Sequence, residues 1–355
     1  MTAAVAVAIL HPPTVAADGS LTAAVGAARA ALAERHRVGF LAVGATRADI
    51  VSELPDSRSF GARLRGIAAR LDAGEGLIVL GSGAVPLATA ADRRRFVTAA
   101  AGRTGGPVDS PAALANNRFS ADILAIADAR RVLAELPDLD TDNALPRWLA
   151  DQGVAITDRR GSWRLGVDID TALDLVLLGG GQARHLAPDD RNTIERRLTA
   201  IRAVAVDPLA ELLVAGRTSA ATIAWLETAT PSRTRVLVEE RGLRTVIPGQ
   251  RPPASVLGEL LERDGPASLG RHLARLADAA VIDSRVLLAH RLGADERGWP
   301  PLEDRAASDL LLAERIADPW LRSLTEAARD APIPIVLGGH TLVGPGLRLA
   351  LGRGR

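Results

Sequence analysis

The chain has no cysteine, no tyrosine and no lysine, so all 43 of its basic residues are arginine. Each absence closes off a kind of chemistry. Without cysteine there is no disulfide, no thiolate nucleophile and no Cys-based zinc or iron–sulfur site. Without lysine there is no Schiff-base amine and no lysine-bearing P-loop. Aromatic residues make up only 3% of the chain, too thin a supply for base-stacking platforms. A formal net charge of +1, with arginine scattered and no basic tail, supplies no field that gathers polyanions, so nucleic acid is not an expected partner. The apolar run Ala3–Leu10 is far shorter than a bilayer span and no positively charged stretch precedes it. The expectation is a soluble, cytoplasmic protein with no membrane contact. An arginine-only, alanine-rich composition reflects a GC-rich genome, and arginine also brings a planar fork that grips phosphate in a way lysine cannot.

What is present is enough to build a large interior: 355 residues, 47% of them apolar, a length that favours two domains over one. Strand-like and helix-like segments alternate from the start. Val5–Leu10 reads as strand, Leu21–His36 as helix, Val38–Val43 as strand, Phe60–Leu71 as helix, Gly76–Leu80 as strand and Thr89–Ala100 as helix with Thr89 its cap. Such alternation implies an α/β fold, a mostly parallel sheet with helices on both faces. Gly179-Gly180-Gly181 and the polar stretch to Asn192 mark the expected boundary, giving a first region 1–180 and a second α/β region 181–355. The second region reads either as a separate domain or as an extension of the same sheet, and oligomeric state is not legible.

The most informative stretch opens with Leu-Ala-Asn-Asn-Arg-Phe-Ser-Ala-Asp (114–122) and closes with Gly-Val-Asp-Ile-Asp-Thr-Ala-Leu-Asp-Leu (166–175). Arg164–Val167 reads as extended and Thr171–Leu178 as a helix with Asp174 in its first turn. That puts Asp168 and Asp170 at a strand-to-helix junction, where open α/β sheets bind ligands. Two acids on alternate extended residues face opposite ways, so both reach one metal only if the backbone turns between them. Either is also a candidate helix cap.

Asn116-Asn117-Arg118-Phe119-Ser120-Ala121-Asp122, Thr141-Asp142-Asn143-Ala144-Leu145-Pro146-Arg147-Trp148-Leu149 and Asp168-Ile169-Asp170-Thr171 resemble the later half of small nucleotidyltransferases of glycosyltransferase-A type. The likeness points to molybdenum-cofactor nucleotidylyltransferases and 2-phospholactate guanylyltransferase, and spans roughly residues 1–180. It implies a nucleotide-diphospho-sugar transferase-like first half and magnesium on Asp168 and Asp170. It also implies a nucleoside triphosphate and a phosphorylated small molecule as partners. Hard oxygen ligands suit magnesium, which needs only one or two carboxylates beside substrate phosphates. Asn116, Asn117, Arg118 and Ser120 offer amide, guanidinium and hydroxyl groups to a base or phosphate, or else form a turn.

The chain also departs from that family. Where the family carries a Gly-rich loop ending in Arg and Lys, this chain has His11-Pro12-Pro13-Thr14-Val15-Ala16-Ala17-Asp18-Gly19-Ser20, with one glycine and no cation. Where the family places a metal-holding Asp-x-Pro, this chain has Gly81-Ser82-Gly83-Ala84-Val85-Pro86, so Ala84 stands at the metal position.

The second half has candidates of its own. Gly216, Arg217, Thr218 and Ser219 form a strand-to-helix turn suited to an anion. Gly339 lets the backbone approach a ligand and present His340 after the last strand. Asp283-Ser284-Arg285, with Asp304, Arg305 and Asp309, reads as an ion-paired structural network. No nucleophilic triad or His-based metal spacing is present. The leading expectation is a divergent magnesium-dependent nucleotidyltransferase acting on a phosphorylated small molecule. One alternative is a protein that binds a nucleotide or phosphometabolite without turnover. Another is a hydrolase or sugar-handling enzyme centred on Arg217, Arg285 and His340.

Overall fold

A computed structural model describes residues 3–13, 19–52, 58–103, 112–243 and 249–352. The chain is α/β throughout and divides into two compact units, Met1–Val15 with Gly26–Ile169, and Ala16–Val25 with Asp170–Arg355. The division therefore falls after Ile169 and not at Gly179–Gly181, because helix Ala172–Leu178 packs against helix Leu302–Asp309 of the second unit. The sequence also reads 102–111 as a turn-rich connector, of which 104–111 lie outside the described residues, as do residues 14–18 of the first loop.

The first unit is built on a six-stranded sheet of order β2-β1-β3-β5-β4-β6. The strands are β1 (Val5–Leu10), β2 (Arg47–Val51), β3 (Gly76–Gly81), β4 (Ala112–Ala115), β5 (Ile123–Ile126) and β6 (Ala155–Asp158). β5 runs antiparallel to β3 and β4, and the remaining pairings are parallel. Both faces are covered, so β1 is apolar without alternation, as parallel strands buried on two sides require. Val5, Val7 and Ile9 face a cluster containing Phe40 and Phe96 from helices Ser20–Leu41 and Ala90–Ala100. Ala6 and Ala8 face Leu64, Leu133 and Leu149.

Two local expectations are corrected here. Val38–Val43 is not a strand: Val38 to Leu41 complete helix Ser20–Leu41, and the strand begins at Arg47. Burial follows a helical period, with Ala33, His36 and Phe40 inside while Val38 and Leu41 are exposed. Arg164–Val167 is not extended either, since Trp163–Gly166 is a short 3-10 turn stacked onto the sheet by Leu165.

The second unit carries an all-parallel four-stranded sheet, order β10-β9-β7-β8. Its strands are β7 (Glu211–Gly216), β8 (Arg233–Val238), β9 (Ala279–Asp283) and β10 (Ile335–Gly338). Helix Pro188–Val206 lays Ile194, Leu198, Ile201 and Ala205 on one side of it. In this unit Glu303 also caps the start of helix Ser20–Leu41: its carboxylate accepts from the amides of Leu21 and Thr22 at 3.1 and 2.9 Å. A Cβ on Gly19 would lie 2.1 Å from that carboxyl carbon. Arg315 ties the corner together, bridging Asp190 at 2.7 Å and Glu303 at 3.3 Å. No helix among the described residues is long and apolar enough to cross a membrane.

Glycine supplies a direct test of the first sheet's packing. A Cβ at Gly76 would sit 2.0 Å from the carbonyl oxygen of Ala100, backbone against backbone. At Gly66, inside helix Phe60–Ala68, nothing lies within 4 Å. Gly76→Ala is expected to lower stability by about 1–3 kcal/mol in urea denaturation. Gly66→Ala should raise it by up to about 1 kcal/mol. Equal midpoints for the two variants would contradict this packing.

Candidate functional site

In the first sheet, β1 is followed by β2 on one side and β3 crosses to the other. The carboxyl ends of β1 and β3 are thus the switch point at which a doubly wound sheet opens a crevice. His11 Nδ1 and Ser82 Oγ span that point at 3.0 Å, and the Ser82 amide donates to the Leu10 carbonyl at 2.9 Å. Burial, and then the Arg29 charge, hold the His11 imidazole below its ordinary value, so the ring is neutral at neutral pH. Arg29 Nε donates to the Ile169 carbonyl at 2.6 Å. A Cβ on Gly83 would meet that same carbonyl oxygen at 2.7 Å and Arg29 Nε at 3.0 Å, so only glycine allows this approach.

The loop after β3 is fastened to the 168–169 segment. The Ile169 amide donates to the Gly83 carbonyl at 2.9 Å, and Ala84 and Asp168 form an isolated antiparallel bridge. Asp168, half-buried, therefore stands across from Ala84 in the loop that follows β3. Val85 follows with φ +42°, a left-handed conformation that a β-branched side chain rarely adopts. Strain of this kind clusters at working loops.

Asn116 is buried, and its amide is fully used within the protein. Its Nδ2 donates to Asp122 at 2.7 Å and to the Leu165 carbonyl at 2.8 Å, while its Oδ1 accepts from the Asp122 and Ile123 amides. That fills the bonding capacity of a carboxamide, so Asn116 clamps the β4–β5 connection. Asn117 accepts from the Phe119 amide at 3.1 Å, an Asx turn, and Ser120 closes the turn by donating its amide to the Asn117 carbonyl. Exposed Phe119 has the guanidiniums of Arg118 and Arg160 within 5.3 and 4.9 Å of its ring centre. The Asn-Asn-Arg segment is therefore built as a turn, with Arg118 and Phe119 on its outside.

The second sheet repeats the topology, with β8 on one side of β7 and β9 on the other, so its switch point lies between Gly216-Arg217 and Asp283. Here the crevice is closed by charge. Arg217 Nε and Nη2 bond both oxygens of Asp283, at 2.6 and 3.1 Å, and both side chains are buried. Gly216 has φ +127°, and a Cβ there would lie 2.2 Å from that of Asp283. Ser219 caps helix Ala220–Ala229 through the Thr222 amide at 3.1 Å. Thr218 is wholly buried and its hydroxyl has no partner. Gly339 heads the short helix His340–Val343, and His340 is exposed.

A second buried pair adjoins the first. Arg285 bonds both oxygens of Asp309, at 2.5 and 2.7 Å, and also Ser284 Oγ, which donates to the Gly338 carbonyl. Burial pushes the Asp309 carboxyl up while Arg285 and the Thr171 hydroxyl draw it down, and Asp309 keeps Arg285 above its ordinary value. Asp304 and Arg305 belong elsewhere: Asp304 accepts from the amides of Ala317 and Asp318, and Arg305 bonds Glu296. Asp174 is buried in the same unit and accepts from the amides of Asp170 and Thr171 at 2.8 and 2.7 Å. Desolvation first, then the nearby Asp170 charge, pushes its carboxyl up to about 7.

Of the two acids assigned to magnesium, Asp168 thus belongs to the first unit's loop bridge and exposed Asp170 to the cap region of helix Ala172–Leu178. Among the described residues no group of three or more His, Asp or Glu side chains is placed to hold a metal. A single carboxylate fits magnesium only when substrate phosphates complete its shell. Sequence reasoning missed His11 and Arg29, which carry no motif and meet only because helix Ser20–Leu41 passes the sheet edge.

Two outcomes test the second unit. Asp309→Ala leaves Arg285 buried and unpaired and is expected to cost about 3–5 kcal/mol in denaturant unfolding. Asp174 has a folded-state pKa raised above its unfolded value, so its protonated form favours folding at low pH and that contribution is lost as pH rises from about 4 to 7. Asp174→Asn keeps an acceptor for both amides and removes the titration. The wild type should lose a few kcal/mol relative to this variant between pH 4 and 8, and parallel stability curves would refute the buried acid. No known family model matches the chain, and no curated protein is similar to it.

Proposed function

We propose that the first unit is a divergent nucleotidyltransferase-type domain that binds a nucleoside triphosphate across the carboxyl ends of β1 and β3. The observation that carries this reading is the Ala84–Asp168 bridge, which sets the surviving acid opposite the loop that follows β3. Ser82 offers its hydroxyl and Gly83 its backbone amide at that edge, the Gly81 and Ser82 amides being bonded to the Asp122 and Leu10 carbonyls, and Arg29 supplies positive charge beside it. His11, kept neutral, orients the Ser82 hydroxyl as a donor or acceptor for the ligand. Asp168 is the residue that would hold magnesium, together with the triphosphate. When bound, the ion would neutralise charge on the phosphates as a phosphorylated small molecule attacks. The protein's own share is placement and fixed positive potential at the sheet edge.

A second reading, binding without turnover, is favoured by Ala84, which puts a methyl group where the family's metal acid stands. The two are separated by titrating each nucleoside triphosphate, with and without magnesium, into wild type and Asp168→Asn, and by assaying pyrophosphate release with simple phosphate acceptors. Magnesium-dependent binding weakened at least tenfold in the variant, with pyrophosphate release, is the expected result. Magnesium-dependent binding without release selects the second reading. Failure of every triphosphate to bind the wild type would sink both.

A further inference from the structure

A cleft of about 670 Å3 opens on the first unit between helix Ser20–Leu41 and residues 86–93. Two arginines line it, and neither is ion-paired to an acid. Arg35 donates to the Pro86 carbonyl at 2.6 Å. Arg93 is 9% exposed, and its buried Nε has no hydrogen-bond partner. Among the described residues no carboxylate lies within ion-pairing distance of either guanidinium; Glu34, at the rim, is bonded by Arg37 at 2.8 and 2.6 Å. Elsewhere in this protein deeply buried arginines are matched by acids, as Arg217 is by Asp283 and Arg285 by Asp309. A buried guanidinium left unmatched beside a second cation is costly unless something else brings the negative charge.

We propose that this cleft is a binding site for a small phosphate-bearing metabolite, gripped by Arg35 and Arg93, with its organic body against Val38, Pro86 and Leu87. The volume is that of an ordinary metabolite pocket. Planar guanidinium forks suit phosphate oxygens, and two of them balance a phosphate dianion. Burial lowers both guanidiniums from their ordinary values, and Arg35 lowers Arg93 further against a smaller opposing pull from Asp92, so that a net repulsion is left for a bound dianion to relieve. Gly39 is what lets Arg93 lie flat on the helix, since a Cβ there would sit 2.9 Å from Arg93 Nε. The site also touches the loop of the proposed nucleotide edge. Arg35 holds Pro86, and the neighbouring His36 ring lies 2.8 Å from the Ala84 carbonyl, with strained Val85 between. Occupancy therefore bears on the segment that carries Ala84, although the site itself stands on the cleft and its arginines alone.

Inorganic phosphate, with acetate as the carboxylate control, is titrated calorimetrically into the wild type, Arg93→Met, Arg35→Met and Ala31→Glu. The methionines keep the apolar stems. Ala31 is an exposed position at the cleft mouth, where a glutamate adds opposing charge without disturbing packing. The expected result is one saturable phosphate site in wild type, at least tenfold weaker in either methionine variant and at least fivefold weaker in Ala31→Glu. Asp168→Asn should bind phosphate as the wild type does, which separates this site from the nucleotide edge. No saturable phosphate binding in wild type, or binding unchanged in Ala31→Glu and in whichever methionine variants fold, overturns the proposal. So does acetate binding as tightly as phosphate.

Discussion

The second unit depends on the pairing of Asp283 with Arg217. Asp283 ends β9, accepts from the Arg285 amide at the start of helix Ser284–Leu292 and meets Arg217 with both oxygens, its own side chain wholly buried. A buried carboxylate is tolerated only with such full use of its lone pairs. The consequences spread through the sheet edge. Gly216 must lack a side chain, the turn after β7 must take a left-handed residue, and Arg285 must look away to Asp309 for its own partner. Asp309 in turn receives Thr171, whose backbone amide binds Asp174. One ion pair at a strand end thus fixes the conformation of three chain segments.

The same topological crevice is used in opposite ways by the two units. In the second, paired charges fill it. In the first it is bounded by a neutral imidazole and a hydroxyl, with no buried ion pair between them. The lysine-free composition belongs in this contrast. Guanidinium is weakly hydrated and planar, so it can be buried in bidentate pairs where an ammonium would demand water. The interior network is arginine chemistry, whatever genome bias first enriched the residue.

The layered α/β architecture was legible because parallel strands buried on both faces are uniformly apolar and the helices between them keep their period. Local misreadings have local causes. Val38 to Leu41 look strand-like, yet Phe40 is the next core position of a helix that His36 already belongs to. Arg164–Val167 looks extended, yet Leu165 reaches the core from a single tight turn. At the sites, Gly216 through Ser219 and the Asp283–Asp309 region could be found from strand ends and residue type. Partners could not: nothing in sequence says that Arg217 chooses Asp283, that Asn116 spends its amide on Asp122 and Leu165, or that Arg35 and Arg93 share a cleft. Those pairings arise from crossovers of many residues, and no spacing rule encodes them.

Glu303 holds the first-turn amides of helix Ser20–Leu41, some 280 residues upstream of it. During synthesis that helix leaves the ribosome without this cap, and it stays so until about 280 further residues have emerged. Growth from the amino terminus normally lets early segments finish first. Here a long helix is completed by a residue made much later, so a ribosome stalled anywhere between the two carries a nascent chain whose Ser20–Leu41 helix still lacks its lock.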